Sequence, residues 1–421
     1  MQKWVSCTVS ALVASFYWSR ATGGVLVSAG FVKSFEFLGL DPVIGSVVKA
    51  DVSGFPEWFG IDLSRYPRVD LGLSLGRFSL FMRLLVGYVI RKALKGHPIR
   101  VVYTDSPMYK RVVNEVRKKG IKLIEYIHFP VEAVFRREFL ETGVFYGDAS
   151  LVSGRYDRFP YNIYYGLYLK LVPFFMRDNP FDVAHLVLTN SRWTAQVAKA
   201  VYGEEPEVLN PPIAPNVEVV ENPKPFDSRS NVVVMVGRFT EEKRYHWVIQ
   251  ELFPKLRKVI GNAKLFIFGS TGAKTAEEYY TKVFEIARMQ GLRVSNTIDG
   301  DVDVWLVKNA PRSMINGVMD RTKVFLHATI NEHWGIAVAE AMARGLPAVV
   351  HRSGGTWSDL VYEGGYGFGY TSADEAVEAI AKLMMDSATW RLYSQKAVER
   401  AKELTFGRFV EKAASLIKKI L

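Results

Sequence analysis

A single cysteine, Cys7, excludes an internal disulfide, and with no other soft ligand near it the sequence offers no structural zinc site. A reducing, cytosolic environment fits best. The seven histidines are scattered, and none has zinc-ligand spacing. The apolar run from Trp4 to Trp18 covers 15 residues, short of the ~20 that a spanning helix needs. Its small polar residues suit a buried first strand rather than an anchor or a signal peptide, which would need a charged start and a cleavage site. No short repeat points to a solenoid or propeller, and no low-complexity tract points to disorder.

What is present is globular: 49% apolar and 23% charged residues in a chain of 421. That length accommodates two or three domains, two being the simplest reading. The 54 Lys and Arg against 43 Asp and Glu leave a net charge of +11, which suits phosphates, nucleic acid or anionic lipid. No recognisable nucleic-acid-binding module accompanies the charge, so nucleic acid is not an expected partner.

Strand-like runs alternate with helix-like ones. "IRVVYTD" precedes "MYKRVVNEVRKKG", and "IKLIEYIHFP", "VAHLVLTNS" and "TAQVAKAVYG" follow. Alternation of this kind predicts a parallel sheet covered by helices. Residues 209 to 231, with five prolines, break the pattern and form the candidate linker. It restarts with "VVVMVG", a helix from about Glu241 to Ile260, "KLFIFGS", a helix through "AEEYYTKVFEIARMQG", "KVFLHA" and "LPAVVH". The expected domains are therefore Rossmann-like halves over 1–215 and 216–400, with a last helix over 401–421 that can pack back on the first half.

In an open parallel sheet, ligands collect beyond the carboxyl ends of the strands. The stretch "NEHWGIAVAEAMARGLPAVVHRSGG" lies there, with a strand ending at His327, a loop, and a helix from Gly335 to Arg344 closed by Gly345 and Pro347. It places Glu332 at the loop mouth and Glu340 in the helix. Two acids reaching one cleft can grip the hydroxyls of a sugar and of a ribose; alternatively, one is a helix-start acid and the other solvated. In "VVVMVGRFTEEKRYHWVI", Arg238 and Lys243 share the loop after another strand, where two cations can hold a diphosphate and stabilise its charge as it leaves. They can equally be solvated surface. Gly269 and Ser270, in "GSTGAK", give a weaker signal for close approach to a nucleotide.

The order "GRFTEEKR", "FIFGS", "EHWGIAVAEAMARGLPAVVHRSGG" resembles the C-terminal half of the retaining GT-B glycosyltransferases of family 4, whose Glu-x7-Glu signature matches Glu332 and Glu340. "YIHFP", "NSRWTAQVAK", "VLNPPI", the Glu332-His333-Trp334 run and "VVHRSGG" bring it nearest to the dolichol-linked-oligosaccharide alpha-1,2-mannosyltransferases. The resemblance implies an α/β GT-B fold, two Rossmann-like domains facing each other across a cleft, the first for acceptor and the second for nucleotide sugar. It implies that Arg238 and Lys243 contact the donor diphosphate, Glu332 the sugar and Glu340 the ribose. Gly269, Ser270, His333, Trp334, Gly335 and Ile336 complete the implied donor site. His128 in "YIHFP" would match a family histidine facing the transferred sugar. Gly23 and Gly24, opening a helix after the first strand, can bring N–H groups to an acceptor phosphate, although the relatives carry a longer glycine run there. Trp334 stands where Phe is usual, and Thr356 where the nearest relatives have Pro.

Asp301 and Asp303 in "DGDVDV" have the spacing of a metal-binding pair in a different glycosyltransferase fold, but the other features of that fold are missing. No metal or cofactor is expected. "GRFSLFMRLLVGYVIRKALKG", with Arg77, Arg91, Lys92 and Lys95, and the aromatic "PYNIYYGLYLKLVPFFM" suit either an anionic membrane interface or the core. The resulting expectation is a metal-independent retaining transferase that moves mannose from GDP-mannose to a polyprenyl-diphosphate-linked glycan, peripheral on the cytosolic face of a membrane. A UDP-sugar enzyme, an epimerase, or a non-catalytic nucleotide-sugar-binding subunit are the alternatives. A phosphorylase would need a pyridoxal-phosphate lysine, and no motif for one is apparent.

Overall fold

The structure, a computed structural model, describes residues 9–74, 80–107, 110–130, 159–175, 179–272 and 274–421. Cys7 and Arg77 lie outside them. The described residues form two compact units. One runs to Pro215 and includes Phe406–Leu421; the other is Asn216–Thr405.

Each unit is built on a seven-stranded sheet among the described residues, and every pairing is parallel. In the first, β1 (Ser10–Ser15), β2 (Asp41–Val48), β3 (Arg68–Leu73), β4 (Ile99–Thr104), β5 (Lys122–Ile127), β6 (Leu186–Thr189) and β7 (Glu207–Val208) lie in the order β3-β2-β1-β4-β5-β6-β7. β1 is buried at all six positions, as a strand with helices on both faces must be. The helix Val86–Gly96 covers this sheet with Val86, Val89, Ile90 and Ala93. Its cations are turned to local use: Arg91 holds Glu115 at 2.7 and 3.1 Å, and Lys92 Nζ donates to the Asp70 carbonyl at 2.7 Å. The apolar side of this segment is therefore a sheet cover, and two of its cations serve local contacts.

The second sheet contains β8 (Ser230–Arg238), β9 (Lys264–Ser270), β10 (Val294–Ser295), β11 (Val304–Lys308), β12 (Thr322–His327), β13 (Ala348–His351) and β14 (Phe368–Tyr370), in the order β10-β11-β9-β8-β12-β13-β14. The helix expected over Glu241 to Ile260 is instead broken. A 3-10 turn, Glu241–Lys243, ends at Arg244 with φ 53°; a short helix and a π-turn, Val248–Leu252, precede Phe253–Val259. Pro254 lies at the start of that last segment; its missing N–H accounts for the widened turn.

The helix Phe406–Lys418 belongs to the first unit. It packs on the helix Gly23–Phe37, where the Phe409 ring lies edge-on to Phe31 with centroids 5.8 Å apart. Gly30 makes room for it, since a Cβ there would overlap the Phe409 ring.

Candidate active site

In the second sheet, β8 and β12 are neighbours, but the chain leaves β8 toward β9 on one side and leaves β12 toward β13 on the other. Loops that diverge in this way open a crevice at the carboxyl ends of the strands. The loop after β8 brings Lys243 there, and β12 with its following loop brings His327 and Glu332. Lys243 Nζ donates to Glu332 Oε2 at 2.6 Å, and His327 Nε2 lies 3.0 Å from the same oxygen. The three side chains are 16%, 19% and 4% exposed, respectively.

Burial alone would raise the Glu332 carboxyl; the Lys243 charge and the bonds from His327 and Lys243 overcome it and hold the group well below the usual carboxylate range. Burial lowers His327, with Lys243 adding to the effect and Glu332 opposing it. A neutral imidazole facing a carboxylate, which can only accept, must carry its hydrogen on Nε2 and donate it. Gly237 admits the lysine: a Cβ there would lie 2.9 Å from Tyr245 Oη and 3.3 Å from the Lys243 chain.

The loop that carries Glu332 is held by its backbone. The Asn331 N–H donates to Ser353 Oγ at 2.7 Å, and the Gly355 N–H to the Glu332 carbonyl at 2.7 Å. Gly354, at φ 72°, lies so close to Glu332 that a Cβ would overlap its carbonyl oxygen. The "HRSGG" motif is thus a backbone clamp on the acid. Trp334 is buried with its indole N–H unpartnered, and His333 is half-buried beside it. Gly335, at φ 87°, starts the helix Ile336–Ala343, and a Cβ there would lie 2.5 Å from the Thr356 methyl.

Glu340 is not a solvated residue on this helix. It is 4% exposed, and Arg312 Nη1 donates to its Oε2 at 2.7 Å. Each of the two acids has a cation of its own.

Arg238 and Lys243 share a loop but not a partner. Arg238 is 68% exposed and reaches Glu242 Oε1 at 3.3 Å. Gly269 is required by packing, since a Cβ would come 2.5 Å from the Phe239 ring; the Ser270 carbonyl accepts the Phe239 N–H at 3.1 Å. Asp303 accepts from the Arg293 N–H at 2.9 Å and from its guanidinium at 3.1 Å, with Arg257 at 3.4 Å; Asp301 pairs with Lys264 and Arg293. Both acids of the metal-like pair are consumed by basic side chains.

In the first unit the corresponding switch point lies between β1 and β4. Gly23 and Gly24 begin a helix capped by Thr22, and His128, just past β5, places Nε2 3.1 Å from where a Gly24 Cβ would lie. Nε2 also lies 3.7 Å from Asp105 Oδ2, a carboxylate that accepts from Ser15 Oγ at 2.9 Å.

Sequence reasoning missed His327 and Arg312. A histidine closing a buried strand just before the acid-bearing loop was a usable signal for the first. For Arg312, 28 residues upstream of Glu340, local sequence holds none.

Residues 217–403 match the family described as "Glycosyl transferases group 1", and this part of the chain belongs to it. Among curated proteins, the chain is 24% identical over 245 residues to the GDP-Man:Man(3)GlcNAc(2)-PP-Dol alpha-1,2-mannosyltransferase of Eremothecium gossypii, covering 57% of this chain and 39% of that protein. To the Homo sapiens protein of the same name it is 25% identical over 386 residues, covering 84% and 71%. Among solved structures, sucrose-phosphate synthase from Thermosynechococcus elongatus superposes with a TM-score of 0.68 at 14% identity, covering 98% of this chain and 99% of that one. The fold is GT-B.

Proposed function

We propose that this chain, whose second unit is a group 1 glycosyltransferase domain, transfers mannose from GDP-mannose to a glycan carried on a polyprenyl or dolichyl diphosphate, at the cytosolic face of a membrane. The observation that carries the proposal is the Lys243–Glu332–His327 cluster at the β8/β12 switch point. A diphosphate arriving there meets Lys243 with exposed Arg238 in the same loop, and draws the lysine from Glu332. The freed carboxylate, still held by His327, turns to the sugar. Glu340 takes the ribose, and His333, Trp334, Gly335 and Ile336 shape the loop between the two acids. In the first unit, His128 serves the sugar and the Gly23–Gly24 helix start the acceptor phosphate.

Retention follows from front-face attack. The bond from the anomeric carbon to the phosphate oxygen breaks with its electron pair going to the diphosphate, the acceptor hydroxyl oxygen bonds to that carbon from the same side, and its proton passes to the leaving phosphate. The protein contributes orientation and stabilisation of the diphosphate charge. Group 1 enzymes of this family use nucleotide sugars, generally without a metal.

Two findings support the donor and acceptor. The curated relatives named above act, by their names, on a GDP-mannose donor and a dolichol-linked acceptor. The helix Tyr161–Phe175 leaves Ile163, Leu167, Leu171 and Phe174 exposed at helical spacing, an apolar stripe suited to lying on a lipid surface. No helix among the described residues is long and apolar enough to cross a membrane.

The test is transfer of label from GDP-mannose, UDP-glucose and UDP-N-acetylglucosamine to polyprenyl-diphosphate chitobiose carrying mannose, and to the same glycan freed of lipid. Lipid-extractable product from GDP-mannose is expected. Product only from a UDP-sugar, or equal use of the lipid-free glycan, overturns the assignment; binding of nucleotide sugar without any turnover would favour a partner subunit.

A further inference from the structure

Arg312 belongs to no motif of the chain, yet it holds the more deeply buried of the two acids. It is the first residue of the helix Arg312–Met319, which follows β11. Glu340 lies in the helix Ile336–Ala343, which follows β12, and β9 and β8 stand between those strands in the sheet. The loop that delivers Arg312 is fixed. Asn309, at φ 51°, donates its N–H to the Gly269 carbonyl at 2.9 Å, and its side-chain oxygen accepts the Thr271 N–H at 3.1 Å; Pro311 then stiffens the approach to the helix.

A buried ion pair is weak grounds for stability, because the cost of desolvating both charges offsets their attraction. Nor do these helices need it as a staple. At their other ends Arg344 holds Asp320 through two bonds of 2.8 and 2.6 Å. The Arg312 pair differs in form: one guanidinium nitrogen meets one carboxylate oxygen, and the arginine side chain remains 24% exposed. Both helices start beyond the carboxyl ends of their strands, the side on which Lys243 meets Glu332.

We propose that Arg312 is a specificity-determining residue of the nucleotide site: it fixes one oxygen of Glu340 so that the other is presented to the vicinal hydroxyls of a ribose. This rests on the nucleotide-sugar reading above. A planar guanidinium orients a carboxylate in a way that a flexible ammonium does not. The ligand class it selects is a ribonucleoside diphosphate over its 2′-deoxy form.

The experiment is calorimetry of the full chain with GDP, UDP and their 2′-deoxy counterparts, on wild type, Arg312→Met and Arg312→Lys. Wild type is expected to favour the ribonucleotide by about tenfold, the lower end of what a hydrogen bond to a charged group provides. Arg312→Met should lose that preference, with the KM for the nucleotide sugar rising by a similar factor and kcat changing by less than about threefold. Arg312→Lys keeps the charge and the pair, and should show an intermediate preference. Undiminished ribose preference in Arg312→Met overturns the inference and leaves the donor site standing; if Arg312→Met does not fold, undiminished preference in Arg312→Lys does the same. Failure of wild type to bind either ribonucleotide overturns the donor-site reading itself.

Discussion

Lys243 and Glu332 are 89 residues apart in the chain and 2.6 Å apart in space, and the oxygen they share also takes the bond from His327. A cation and an acid from two different strand-end loops thus neutralise one another, each largely withdrawn from solvent. The consequence is that neither can be altered without exposing the other.

Lys243→Ala should lower turnover by about 10²- to 10³-fold, the range for losing one preorganised donor, and Arg238→Ala should fall in the same range. Lys243→Ala has a second effect that Arg238→Ala lacks. It removes the charge that, against burial, keeps Glu332 ionised, so the acid limb of its kcat/KM profile should move to higher pH. An unmoved limb in a folded, weakened variant would show that the pair is not what sets the ionisation of Glu332.

Glu332→Gln and Glu340→Gln should separate. Glu340→Gln is expected to weaken free nucleotide and nucleotide sugar alike, by the ~1.5 to 3 kcal/mol of a hydrogen bond to a charged group. Glu332→Gln should leave free-nucleotide binding almost intact and reduce single-turnover rates, because its contact strengthens as charge builds at the anomeric carbon. Wild-type behaviour in both variants would mean that the acids only fill space.

Asp303→Asn should cost stability and spare transfer. The carboxylate serves Arg293 and Arg257, so a loss of about 1 to 3 kcal/mol in denaturant unfolding is expected. Transfer should persist in excess chelator. Activity that vanishes with chelator and returns with a divalent cation would reverse this assignment.

His351 gives a pH dependence with a definite sign. Burial, and then the Arg244 charge, lower it from 6.5 to about 4. Between those values the unfolded chain takes up a proton that the folded one refuses, so stability is lost as pH falls from about 6.5 toward 4. His327 and His246 shift in the same direction. Melting temperature should therefore fall with pH over this window, and less steeply in His351→Gln. Identical slopes would show that His351 is protonated in the folded state.

The buried strands were legible because short β-branched or aromatic runs bounded by glycine have few alternative homes; "VVVMVG" and "KLFIFGS" became β8 and β9 with little adjustment. Short edge strands such as Val294–Ser295 left no such trace. The acids were legible as residues but not as environments. That Glu340 is buried against Arg312, and that Gly354 presses on the Glu332 carbonyl, depends on side chains brought together from distant segments. The same limit applied to Arg91 and Lys92, whose partners, Glu115 and the Asp70 carbonyl, come from other elements.

The helix that begins at Phe406 completes a body whose other described strands and helices end by Pro215. During synthesis the intervening Asn216–Thr405 unit has emerged, with all its own strands, before Phe409 is available to cover Gly30 and Phe31. Domains generally fold in order of emergence, N-terminal first. Here the body translated first lacks the ring that covers Gly30 and Phe31 until every strand of the second has been made.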